Sequence, residues 1–125
     1  MPVAVAEAVR QLIDGGVRSL EQLEVLLVLV QDPGKSWPPA AVCRGALLAP
    51  QRVEEAARAL VKAGVVARDE QVDGLRLLDR LDVGLLRDLR AAYEHDRALV
   101  VNAFFAGNLD SLRSFANAFK LRRRE

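Results

Sequence analysis

The chain contains a single cysteine, histidine, tryptophan, tyrosine and methionine among its 125 residues. With Cys43 alone, no internal disulfide can form and no cysteine cluster can hold zinc, a pattern that suits a reducing cytosol. Cys43 reads most simply as a small core residue, with a thiol sensor as the alternative. The lone His95 falls at an exposed helical position, and no serine or cysteine has a recognisable base, so nucleophilic catalysis is not expected. There is no glycine-rich phosphate loop, since Gly15 and Gly16 read as a helix stop. No catalytic, cofactor-binding or metal-binding residues are therefore assigned, and an enzyme is not expected. The most apolar run, LEVLLVLV from Leu23 to Val30, is far too short to cross a bilayer. The segment after Met1 lacks a basic start followed by an apolar stretch and a cleavage site. The expectation is a soluble cytoplasmic protein with no membrane partner.

Apolar residues make up 51% of the chain, and only eight glycines and five prolines interrupt it, which argues for one folded domain with a real core. Its 28% charged residues balance to a formal net charge of +1. That is far from the strongly basic footprint of a protein that binds nucleic acid by charge alone. Val5, Val9, Leu12 and Ile13 recur at helical spacing, which predicts a first helix over residues 3 to 13. Ser19 with Gln22 three places on forms a capping box, opening a second helix that should run to about Gln31 and stop at Asp32-Pro33-Gly34. After Val25 that helix is apolar on every side, so it must be covered on more than one face. Pro38 and Pro39 start a third helix over residues 39 to 47, with Trp37 ahead of it to pack against it. A short LLAP corner then leads into APQRVEEAARALVKAG, residues 49 to 64.

From Val65 the period changes, and VVARD, EQVDG and LRLLD read as two short strands with Asp73-Gly74 as the corner. The predicted fold is mainly α with a small β-hairpin wing: a winged helix-turn-helix over residues 18 to 81. A helical segment at 1 to 17 precedes it, and a helical extension at 82 to 125 follows. Residues 20 to 79 resemble the winged-helix module of small bacterial transcription regulators of the MarR or PadR kind. Leu23, Leu26, Leu27, Trp37, Val42, Leu47, Val53, Ala57, Leu60 and Gly64 carry the resemblance. The chain departs from that pattern at Ala49, where Ser, Thr or Asp would usually cap the second helix of the pair; Pro50 partly compensates.

In the extension, one long helix is expected over residues 83 to 106, ending at Gly107, with Leu86, Leu89, Tyr93, Val100 and Ala103 on one face. Asn102 reads either as a buried polar group fixing helix register or as facing solvent. A last helix places Leu109, Leu112, Phe115, Ala116 and Phe119 together. In MarR- and PadR-like proteins such helices pair with a second chain, so the resemblance implies a homodimer. Leu86, Leu89, Tyr93, Val100, Phe104, Leu112, Phe115 and Phe119 are the candidate dimerisation residues. The alternative is that they fold back over the apolar second helix in a monomer.

On a helical wheel Val53, Ala56, Ala57 and Leu60 face inward, leaving Gln51, Glu55, Arg58 and Lys62 outward with Arg52 and Glu54 on the flanks. In a DNA-reading arrangement Gln51 and Arg52 would meet base edges and Arg58 and Lys62 would take phosphates of double-stranded DNA. Glu55 and Arg68 complete the candidate set on the module, and the basic tail Arg122, Arg123 and Arg124 is a candidate phosphate-contacting arm or else a solvated helix end. Against this, Glu54 and Glu55 lie four and three residues before Arg58 and can neutralise it. The wing tip carries Asp69, Glu70 and Asp73, and residues 36 to 81 hold seven basic against six acidic side chains. Two functions remain: a dimeric winged-helix DNA-binding transcription regulator, or a winged-helix adaptor that binds another protein and not DNA.

Overall fold

Ser19 fixes the start of the central helix. Its hydroxyl accepts from the Gln22 backbone N–H at 3.2 Å, and the Gln22 side chain reaches back to the Arg18 N–H at 2.8 Å. The computed structural model describes residues 3–71 and 73–108. In chain order these form α1 (Val3–Asp14), α2 (Leu20–Leu29), α3 (Pro39–Ala46), α4 (Pro50–Lys62), β1 (Val66–Asp69), β2 (Gly74–Leu77) and α5 (Val83–His95). A further helix, α6, covers residues 97–108.

Helix α2 is the hub. Leu23 and every residue from Val25 to Val30 are buried, so its only polar surface lies in the first turns. With no polar stripe to give to water, it is wrapped by α3, α4, α5 and β2. Each leucine so covered contributes roughly 1.5–3 kcal/mol relative to exposure. α1 lies along α5, and its inward face of Val5, Ala8, Val9, Leu12 and Ile13 joins the same core as Val100, Ala103 and Phe104 of α6. Two arginines from later in the chain satisfy carbonyls that helix ends leave without partners: Arg90 donates to Leu27 O of α2 at 2.6 Å, and Arg80 to Ala63 O after α4 at 2.9 Å.

The strands pair antiparallel, Val66 opposite Leu77 and Asp69 opposite Gly74, and Asp73 turns the corner at φ 47°. Trp37 adds a bridge on the other side of β2, exchanging backbone hydrogen bonds with Leu75 at 2.8 and 2.9 Å. Trp37 thus extends the wing while its side chain packs against the core, with Lys35 Nζ over its ring at 4.4 Å. The succession of helices α2, α3 and α4 followed by a hairpin is consistent with a winged-helix-like layout.

The structure departs from two expectations. Residues 83 to 106 are not one helix: Asp96 ends α5 with φ −149° and its carboxylate accepts from the Leu99 N–H at 3.2 Å, so it caps the helix that follows. Gly107 does not stop that helix, which continues through residue 108. A β-carbon at Gly107 would stand 2.6 Å from Ile13 Cδ1, so its glycine lets α6 approach α1 closely. Asn102 faces solvent. The last predicted helix, with Leu112, Phe115 and Phe119, lies outside the described residues.

Leu47 is the second correction. It is not part of the third helix, which ends at Ala46, but stands 89% exposed just past that end. Three helix ends share one geometry, in which a residue with positive φ lets the next N–H reach back five residues. Val17 bonds to Leu12 O past Gly16 (φ 103°), Val65 to Leu60 O past Gly64 (φ 78°), and Leu48 to Cys43 O past Leu47 (φ 56°). Two of the three use glycine, which carries no steric penalty there. Leu47→Gly should therefore stabilise the chain by about 1 kcal/mol, relieving a left-handed side chain that buries little. Thermal melting should show a rise of about 4 °C. A lowered midpoint would mean that the Leu47 side chain packs in a way its exposure does not reveal.

Candidate functional site on the outer face of α4

α4 begins without a side-chain cap, as Ala49 implies, and Pro50 supplies the first-turn geometry. Its inward stripe is the expected one: Val53, Ala56, Ala57 and Leu60 are buried against α2 and α3. Gln51, Arg52, Glu54, Glu55, Arg58 and Lys62 are all exposed on the side away from the core. This face is not covered by any other described element, and the strained Leu47 with Ala49 and Pro50 forms its leading corner.

Its charges are distributed differently from the DNA-reading expectation. Arg52 does not project freely from the leading end but donates to Glu21 Oε1 of α2 at 2.9 Å. Arg68 leaves the wing to donate to Glu54 Oε1 at 2.7 Å. Arg58 Nε lies 3.7 Å from the same Glu54 oxygen. Glu54 alone therefore serves two arginines, one from its own helix and one from β1, and it ties the wing to α4. The expected quenching of Arg58 occurs through Glu54; Glu55 makes no ion pair among the described residues. Lys62 on the same helix likewise has none. These exposed pairs contribute about 0–1 kcal/mol each, so their effect is on the surface field more than on stability.

Between the start of α2 and α4 lies a cleft of about 240 Å³ lined by Ser19, Glu21, Gln22, Arg52, Glu55 and Ala56. The Arg52–Glu21 pair forms part of its wall. On the wing, the Asp69 carboxylate accepts from the Ser36 hydroxyl at 3.0 Å and from the Gln71 N–H at 3.2 Å, so this acid organises the hairpin as well as charging it.

Glu21 is not legible in sequence as a site residue, since 31 positions separate it from Arg52 and only the packing of α4 across α2 joins them. Leu47 reads in sequence as the last residue of the third helix, since nothing in the residues around it marks the left-handed turn that it makes. Among the described residues no group of three or more His, Cys, Asp or Glu side chains could hold a metal ion, and no helix is long and apolar enough to cross a membrane. Cys43 is half-buried. Arg122, Arg123 and Arg124 lie outside the described residues.

The candidate dimerisation residues have a different location from the expected one. Leu86, Leu89, Val100 and Phe104 are buried in the core of their own chain, covering α1 and α2, and offer no surface to a second copy in this arrangement. Phe105, 55% exposed, is the large apolar side chain that α6 turns outward. Tyr93 is half-buried and donates its hydroxyl to Glu24 Oε2 at 3.2 Å, while Arg97 lies 3.8 Å from the same oxygen and its guanidinium sits over the Tyr93 ring at 5.6 Å. This cluster pins the α5–α6 break onto α2. Comparison with known proteins finds no match, whether to a family model, a curated protein or a solved structure.

Burial and the Glu24 carboxylate raise the Tyr93 phenol above its usual 10.0, and Arg97 opposes them. The chain has one tyrosine, so absorbance titration of tyrosinate reports it directly. The midpoint should lie above that of the unfolded chain, Glu24→Gln should lower it, and Arg97→Gln should raise it. The folded protein holds this proton more tightly, so the linked stability is complete below the ordinary phenol range and is lost as pH rises through the folded value. A midpoint unmoved by Glu24→Gln would show that the hydroxyl is not bonded to that carboxylate in solution.

Proposed function

We propose that the chain is a winged-helix-like module that recognises a partner protein through the outer face of α4 and the Leu47 corner ahead of it, and does not read duplex DNA. The observation that carries this reading is the pairing of Arg52, Arg58 and Arg68 with Glu21 and Glu54. A helix that reads DNA needs its cations free to displace counterions from phosphate. Here the three arginines already have carboxylate partners, and Glu70 and Asp73 at the wing tip would meet phosphate with like charge. A left-handed, almost fully exposed leucine at the leading corner suits an apolar protein contact better than a polyanion.

The second reading is a dimeric DNA-binding transcription regulator. It is favoured by the uncovered outer face of α4, by the open Lys62 beside Arg58, and by the basic tail at Arg122 to Arg124. In that case the tail supplies much of the charge.

A photo-crosslinking residue at Gln51 or Lys62, expressed in the cell the protein comes from, separates the two. The expected result is a discrete adduct that protease destroys and nuclease does not, lost when Leu47→Ser is introduced. A nuclease-sensitive adduct from both positions would establish the DNA reading instead.

A further inference from the structure

We infer that Glu21 and Glu54 are specificity determinants: they close the α4 face to polyanions by occupying its three arginines. This rests on the reading of that face as a protein-recognition surface and adds what keeps nucleic acid off it.

Two carboxylates serve three guanidiniums, Glu21 holding Arg52 at 2.9 Å and Glu54 holding Arg68 at 2.7 Å and Arg58 at 3.7 Å. They reach the face from opposite sides, Glu21 from α2 beneath the leading end of α4 and Glu54 from α4 itself toward the wing. Helix stabilisation does not account for either contact across elements. An acid near a helix start acts on the dipole without a partner on another element, whereas Glu21 and Glu54 each take an arginine from a different one. Without the two carboxylates, Arg52, Arg58, Arg68 and the open Lys62 would make a cationic run along α4 and β1.

The magnitude follows from counterion release. Each further phosphate that the protein neutralises steepens the dependence of log affinity on log salt by about 0.9, and at low salt this corresponds to about tenfold in affinity. Glu21→Gln frees one arginine and Glu54→Gln frees two. Glu54 is exposed and Glu21 half-buried, and neither belongs to the apolar core, so both variants keep the packing of α4 on α2 intact.

The experiment measures fluorescence anisotropy of a short labelled random-sequence duplex with the full chain, across a salt series. Compared are the native protein, Glu21→Gln, Glu54→Gln, the double variant, and a control, Glu7→Gln with Asp88→Asn. The control removes the same two charges from exposed positions on α1 and α5, where neither acid pairs with an arginine among the described residues. Circular dichroism confirms folding of each. The double variant should bind at least about tenfold more tightly than the control, with Glu54→Gln steepening the salt slope about twice as much as Glu21→Gln. Adding Arg52→Gln, Arg58→Gln and Arg68→Gln should abolish the gain. A double variant no tighter than the control overturns the inference. The native protein's own binding addresses the proposed function separately: tight native binding would defeat that reading, while the increment between double variant and control still decides the role of the two glutamates.

Discussion

The structure depends on hiding one helix. α2 turns apolar side chains in every direction after its first turns, and no single neighbour can cover a helix on all sides. α3, α4 and β2 cover part of it, and α5 is drawn in to cover another part. α1 then closes over α5, and α6 comes close to α1 at Gly107, where a β-carbon would meet the Ile13 side chain. The helices that a related-looking module would be expected to offer to a second chain are used in its own core. Leu86, Leu89, Val100 and Phe104 are all interior side chains of a single molecule.

That commitment determines what is left for recognition. With α5 covering α2 and α1 closing over α5, the outer face of α4 stays open among the described residues. Its character is set by ion pairs whose acidic partners come from α2 and from α4 itself. The outer face of α4 thus holds acids and bases in near balance, and an exposed leucine stands at its leading corner. Charge is the term on which long-range attraction to a polyanion depends.

Much of the fold was legible because it rests on local signals. The Ser19–Gln22 box, the inward stripe of α4, the glycine stop at Gly64 and the change of period after Val65 are each contained within one element, and each is realised. The errors share a cause. Asp96 was hidden inside a continuous apolar stripe, because α5 and α6 both direct that stripe into the same core and the capping bend leaves the spacing almost undisturbed. Leu47 reads in sequence as the last residue of the third helix but falls one residue past it, where the chain turns left-handed and the side chain is exposed. In the candidate site, the quenching of Arg58 could be anticipated from i, i+4 spacing, whereas the Glu21–Arg52 and Glu54–Arg68 contacts join separate elements and have no sequence signature.

The most direct test of a charge-balanced α4 face is a nuclear magnetic resonance titration of the full chain with a short random-sequence duplex at low salt. Backbone amides from Gln51 to Lys62 should stay in place throughout, whatever the basic tail does. Progressive, saturating shifts concentrated on those amides and on Arg68 would contradict it, and would establish α4 as a DNA-contacting helix.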